Sequence, residues 1–180
     1  MRTVLVATLL LLGGLRMAPV HAQVEAGQTF TGTVVGVVDG DTYTVWRSAG
    51  DTVAVHLWGV DAPEPGQTYG AAATRAVRNY VDGKSARVSV EFVDSQGRVV
   101  GRMEVRGRSL SAMLLRRGLG WHYKLHAPDD TTLERLERKA RTAGRGLWSQ
   151  PTPVAPWTWQ EGGTDEEEAD PMDREERPPF

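Results

Sequence analysis

The 180-residue chain has no cysteine. That absence excludes a disulfide scaffold, thiolate zinc sites, iron–sulfur clusters and cysteine nucleophiles together. No apolar run reaches the ~20 residues that a membrane span requires; the longest, Val4–Leu12, falls well short. There is no internal repeat. Net charge is nearly absent too, since 21 Lys and Arg against 23 Asp and Glu leave −2. On its face that balance argues against a polyanionic partner. The average conceals opposed segments. Residues 23–74 carry one basic and six acidic side chains, and residues 75–145 carry sixteen basic and eight acidic. Residues 161–180 carry two basic and nine acidic. The basic stretch can attract a polyanion whatever the sum.

What is present divides the chain. Arg2, the apolar run and Val20-His21-Ala22 read as a secretory signal over residues 1–22, cleaved before Gln23. With no cysteine after the cleavage site, a lipoprotein is excluded. The mature protein is therefore expected in the periplasm or secreted, with no stable membrane association, held together by core packing alone or with a metal. Residues 23–28 read as a flexible N-terminus. Residues 150–160 carry three prolines and two tryptophans and read as a linker, whose Trp157 and Trp159 either fold back on the domain or bind something. The acid-rich residues 161–180 have little apolar surface to bury and are expected to be disordered.

One domain remains, over residues 29–149. Thr29–Val38 is β-rich, Asp39-Gly40-Asp41 makes a hairpin turn, and Thr42–Arg47 resumes the strand. In Thr52–Trp58, Val53, Val55 and Leu57 alternate with Thr52, Ala54 and His56, which puts His56 opposite the core face. Tyr69, Ala73, Val77 and Tyr80 recur at helical spacing before Asp82-Gly83. Val88, Val90 and Phe92 form a fourth strand, and Val99–Val105 a fifth after the turn at Ser95-Gln96-Gly97. Two helices close the domain: Ser109–Arg117, stopped by Gly118, and one capped by Asp129 or Asp130 that runs to Ala143. Five short strands with a helix after the third predict an α+β fold, a five-stranded OB-type barrel with three helices.

Acidic residues are few in the strand region and oddly placed. If the first three strands are neighbours, Asp41 in the hairpin turn and Asp61 and Glu64 after the third strand gather at one rim. Carboxylates crowded in this way repel and favour a cation, and an all-oxygen ligand set suits calcium or magnesium. Taken singly, Asp39 and Asp41 are ordinary turn formers and Asp61 a loop cap.

Two segments, VVDGDT at 37–42 and VHLWGVDAPE at 55–64, resemble the signatures of the staphylococcal nuclease (thermonuclease) family. They are followed in family order by Tyr69-Gly70, Asp94-Ser95-Gln96-Gly97-Arg98, LLRRGLGW at 114–121 and AGRGLW at 143–148. The resemblance implies a calcium-dependent endonuclease that hydrolyses the phosphodiester bonds of DNA and RNA to 3′-phosphate ends. It implies Asp41, Asp61 and the Ala62 carbonyl as metal ligands, Glu64 as general base and Arg98 as the stabiliser of the phosphorane. Such residue types suit the reaction, because attack on an anionic phosphodiester needs positive charge on the non-bridging oxygens.

The chain departs from the family pattern at one position. Where the family has a second active-site arginine in the third strand, this sequence has His56. Imidazole is shorter and, with an ordinary pKa of ~6.5, largely neutral at pH 7. Slower turnover, improved at mildly acidic pH, is the expectation. A tolerated variant with another arginine covering the gap is the alternative. Trp121, Tyr123 and Lys124 are candidates to stack on bases and reach phosphate, though Trp121 equally suits packing between the last helix and the barrel. His122 and His126 lack a third zinc ligand and read as surface histidines. The protein is expected to act as a monomer on DNA and RNA. The competing function is an OB-type nucleic-acid-binding module whose chemistry has decayed.

Overall fold

The structure, a computed structural model, describes residues 24–160 and Gly162. The expected signal over residues 1–22 and, Gly162 apart, the acidic tail lie outside the described residues. Its first half contains β1 (Thr29–Val37), β2 (Thr42–Arg47), β3 (Thr52–Leu57), a short β4 (Val60–Asp61) and α1 (Gly70–Val81). Then come β5 (Ser85–Val93), β6 (Val99–Val105), β7 (Arg108–Ser109), α2 (Leu110–Arg117), β8 (Trp121–His122) and α3 (Thr131–Thr142). A 3₁₀ turn (Gly146–Ser149) and α4 (Pro156–Gln160) follow. Strands β3-β2-β1-β5-β6 pair antiparallel in that order, and parallel pairing of β3 with β6 closes the ring. This is the mixed five-stranded OB-type barrel that the alternation predicts.

The core follows the period-two pattern. Tyr43 and Val45 of β2, Val55 and Leu57 of β3, Ala86, Val88 and Val90 of β5, and Val99, Met103 and Val105 of β6 all turn inward. Each fully buried aliphatic side chain contributes about 1.5–3 kcal/mol, which is how a chain without disulfides holds together. Register shifts at Val34/Gly36 in β1 and Val90/Phe92 in β5 are bulges; they supply the extra bend that closure demands. Helix α1 buries Ala73, Val77 and Val81, one face at i, i+4 and i+8. Asp130 caps α3 by accepting from the N–H groups of Thr132 and Leu133, each at 3.1 Å. Among the described residues no helix is long and apolar enough to cross a membrane.

Two flanking segments bond to or pack against the domain. Before β1, the Gly27 N–H donates to the Val90 carbonyl and the Val90 N–H to the Gln28 carbonyl, both at 2.8 Å. These bonds extend the β1–β5 ladder into the stretch expected to be flexible. At the other end the proline-rich stretch packs down, with Val154 and Pro156 buried. Its apolar residues find a surface on the domain, which a reading of prolines as linker residues overlooks.

Candidate active site

The candidate residues come from one rim of the barrel, and the strand register explains why. Thr42 at the start of β2 pairs with His56 on β3, and His56 pairs in turn with Val100 on β6. Asp41 immediately precedes β2 and Arg98 immediately precedes β6. Closure of the barrel therefore sets Asp41, His56 and Arg98 in a row across three strand ends. Asp61 lies on β4, held opposite Trp121 by the β4–β8 pair. Glu64 follows three residues later, in the loop that leads into α1.

Within the hairpin the acids divide their labour. Asp39 is the turn former: its Oδ1 accepts from the N–H groups of Asp41 and Thr42 at 3.1 and 2.7 Å. Asp41 is buried, and its Oδ2 accepts from the Ala62 N–H at 2.5 Å, which joins the hairpin to the segment after β4. Gly40 permits that approach. A Cβ there would stand 2.5 Å from the Ala62 Cβ and 3.1 Å from the Ala73 Cβ. The loop carrying Glu64 is seated as closely, since a Cβ on Gly70 would come within 1.8 Å of the Glu64 carbonyl oxygen. Beside it Tyr69 sits at φ 69°, left-handed backbone that is uncommon outside glycine.

The electrostatics are those of crowded, desolvated carboxylates. Burial, then the neighbouring Asp39 and Asp61, hold Asp41 well above the ordinary carboxylate range. Burial, then Glu64 and Asp39, push Asp61 up to about 7. A bound divalent cation would reverse both effects. Among the described residues no three carboxylate or imidazole side chains converge tightly enough to hold a metal by themselves. Two carboxylates and a main-chain carbonyl nevertheless fit calcium, which takes about six to eight oxygens and accepts water among them. Asp41, Asp61 and the Ala62 carbonyl are the oxygen donors that this rim could offer such an ion.

His56 faces this rim, as the alternation predicts. Its Nδ1 lies 3.1 Å from Thr42 Oγ1 and 3.4 Å from Asp41 Oδ1. Burial, followed by the positive charge of Arg98, lowers its pKa to about 4. In the free protein this favours the neutral imidazole. Arg98 is oriented by the turn it closes: its Nε donates to Asp94 Oδ2 at 2.8 Å, and Asp94 Oδ1 accepts the Gln96 and Arg98 N–H groups, both at 2.9 Å. Tethered through Nε, the guanidinium can offer its two terminal nitrogens to a ligand.

The candidate base-stacking residues separate. Trp121 is buried edge-on against Trp148 at 5.2 Å, so the packing role holds and a stacking role does not. Tyr123 is half-buried beside Asp61, which together with burial raises its pKa, and it meets the His126 ring at 4.6 Å. Lys124 is exposed. The two histidines are not on the surface as expected. His122 is buried, with Nε2 at 2.9 Å from the Ala127 carbonyl and its N–H donating to Glu137 Oε1. His126 stands half-buried between Phe92 and Tyr123.

Two residues at the rim have no signal in the sequence. Gln67 is buried; its Oε1 accepts the Glu64 N–H at 3.1 Å and its Nε2 donates to the Val154 carbonyl at 2.7 Å. Gln160 Nε2 donates to Glu64 Oε1 at 2.5 Å across 96 residues of sequence. Away from the rim, a cleft of about 510 Å³ gathers Arg108, Arg116 and Arg117, and no acidic side chain lines it.

Comparison with known proteins agrees with the geometry. The family model described as staphylococcal nuclease homologue matches residues 54–150. The chain belongs to the staphylococcal nuclease family. It is 37% identical over 130 residues to an uncharacterized endonuclease of Escherichia coli, covering 72% of this chain and 84% of that protein. It is 31% identical over 147 residues to the micrococcal nuclease of Shigella flexneri, covering 76% and 84% respectively. A staphylococcal-like nuclease of Arabidopsis thaliana matches at 34% over 106 residues, 59% of this chain and 32% of that larger protein. The family match ends at residue 150, so α4 and Gln160 lie beyond it.

Proposed function

We propose that the protein is an exported, monomeric, calcium-dependent endonuclease that hydrolyses DNA and RNA to 3′-phosphate ends. Family membership supports an enzyme acting on nucleic acids. The observation that carries the finer reading is the grouping of Asp41, Asp61, Glu64 and Arg98 around one barrel rim, with the two aspartates desolvated against one another. A decayed binding module has no use for buried carboxylates beside a polyanion, where they would oppose binding unless a cation joined them.

Asp41, Asp61 and the Ala62 carbonyl would hold the calcium ion. When bound, the ion supplies Lewis-acid polarisation of a phosphate oxygen and favours deprotonation of water. Glu64 accepts a proton from the water that attacks phosphorus in line with the departing 5′ oxygen. The terminal nitrogens of Arg98 donate to the non-bridging oxygens as charge builds on them, and Asp94 fixes the guanidinium plane for that purpose. His56 supplies at most one neutral donor. Breaking the P–O5′ bond leaves the phosphate on the 3′ oxygen of one fragment, and the departing 5′ oxygen takes a proton from solvent to give the 5′-hydroxyl of the other.

The test is incubation of the purified protein with single-stranded DNA and with RNA under calcium, magnesium or chelator, followed by end-group analysis. Calcium-dependent cleavage with ends that resist 3′ extension until a phosphatase is added is expected. Tight binding without cleavage would return the binding module to favour.

A further inference from the structure

We propose that the C-terminal segment 150–160 completes the active site, and that Gln160 is a positioning residue that fixes the Glu64 carboxylate. The proposal rests on the assignment of Glu64 as general base. It adds to the family site a part that the family match, ending at residue 150, does not contain.

The segment, together with Ser149 before it, is fastened to the Glu64 loop at three points. At the near end, the Tyr69 hydroxyl and Ser149 Oγ lie 2.9 Å apart. In the middle, buried Gln67 spends one end of its amide on the Glu64 N–H and the other on the Val154 carbonyl. The backbone of Glu64 and that of the segment thus share one side chain. At the far end Gln160 holds the Glu64 side chain itself. Burial of Val154 and Pro156 anchors the chain between these contacts, and Trp157 stands 5.7 Å from Tyr123, tilted 42° to it.

The chemistry of the contact favours a positioning role. A glutamate on a surface loop has three side-chain torsions to fix before it can accept a proton from a water in line with phosphorus. Misplacement by about 1 Å can cost on the order of 10²-fold in rate. Gln160 restricts those torsions by donating to Oε1, and Oε2 is left to take the proton. An amide donor carries no charge, so it orients the carboxylate without neutralising it as a lysine or arginine would. Gln160 is itself exposed and gives the core nothing. Among the described residues, its one polar side-chain contact with the barrel rim is the carboxylate.

The experiment compares the wild type with Gln160→Ala, which deletes the donor, and Gln160→Glu, which keeps the shape but presents an acceptor. Steady-state cleavage of a single-stranded DNA oligonucleotide under saturating calcium gives kcat and KM, and thermal unfolding is followed in parallel. A fall in kcat of about 3- to 10-fold for Ala, at least as large for Glu, with KM within about twofold and an unchanged melting temperature, is the expected result. The same Gln160→Ala change introduced with Glu64→Gln should cost nothing further, because the two residues act as a unit. Unchanged kcat in both single variants would overturn the proposal. So would a higher kcat, which would make the contact a block instead of a support. Cleavage by Glu64→Gln alone at the wild-type rate would show that the base assignment, and this proposal with it, had failed.

Discussion

His56→Arg should make the enzyme faster, by about one order of magnitude. Nδ1 of the imidazole is turned toward Thr42 and Asp41, at 3.1 and 3.4 Å. A neutral imidazole carries a single N–H. If that proton sits on Nδ1 it is spent on those neighbours, and if on Nε2 it gives a phosphate one uncharged donor. Net hydrogen bonds to charged groups contribute about 1.5–3 kcal/mol against about 1 kcal/mol for neutral pairs. A guanidinium at position 56 should therefore deepen transition-state stabilisation by about 0.5–2 kcal/mol, centred near tenfold. Loss of one transition-state donor elsewhere costs about 10²–10³-fold, which sets the ceiling. Two neighbours pull the estimate in opposite directions: Arg98 repels the new charge, and Asp41 attracts it. Steady-state cleavage of a fluorogenic single-stranded oligonucleotide between pH 7 and 9, with calcium in excess, is the assay. A His56→Arg protein that folds normally and cleaves no faster than wild type anywhere in that range would refute the reasoning.

Other consequences follow from the same rim. Gly40→Ala puts a methyl within 2.5 Å of the Ala62 Cβ; overpacking of this kind costs about 1–3 kcal/mol, measurable by urea unfolding, and calcium-dependent activity should fall more steeply than stability. Asp41→Asn relieves repulsion between Asp41 and Asp61, so without metal the variant should melt no lower than wild type. Calcium at a hundredfold excess over its Kd should stabilise the wild type by about 2.7 kcal/mol and the variant far less, as differential scanning fluorimetry with calcium or chelator would show. Replacing Arg108, Arg116 and Arg117 together with alanine should flatten the salt dependence of nucleic-acid binding, each lost phosphate contact lowering the slope by about 0.7–0.9. Fluorescence anisotropy between low and moderate salt measures this, and an unchanged slope would remove the cleft from the binding surface.

The barrel was legible because its strands obey a strict two-residue alternation, and one face had to be core. The same alternation puts His56 opposite the core face. The hairpin and the β3 exit could be brought together from strand adjacency alone, and Asp41 and Ala62 meet there. Other features depend on packing that no local pattern encodes. Nothing in Asp39-Gly40-Asp41 tells which aspartate closes the turn and which turns inward; the Ala62 N–H decides it. Trp121 suits a base or a core equally well, and Trp148, 27 residues on, settles the matter. His122 reads as a surface histidine because the β4–β8 pair to which it belongs is only two residues long on each side. Gln160 reaches Glu64 only because Val154 and Pro156 find an apolar seat, and a proline-rich composition hides that.

The proposed reaction is phosphodiester hydrolysis with calcium by the rim carboxylates and Arg98. Its most direct test is single-turnover cleavage of a labelled single-stranded DNA by the wild type and by Glu64→Gln, each with calcium and with chelator. Calcium-dependent cleavage by the wild type, at least about 10²-fold slower in the variant and absent with chelator, is the predicted result. Equal rates in the two proteins, or cleavage indifferent to calcium, would contradict it.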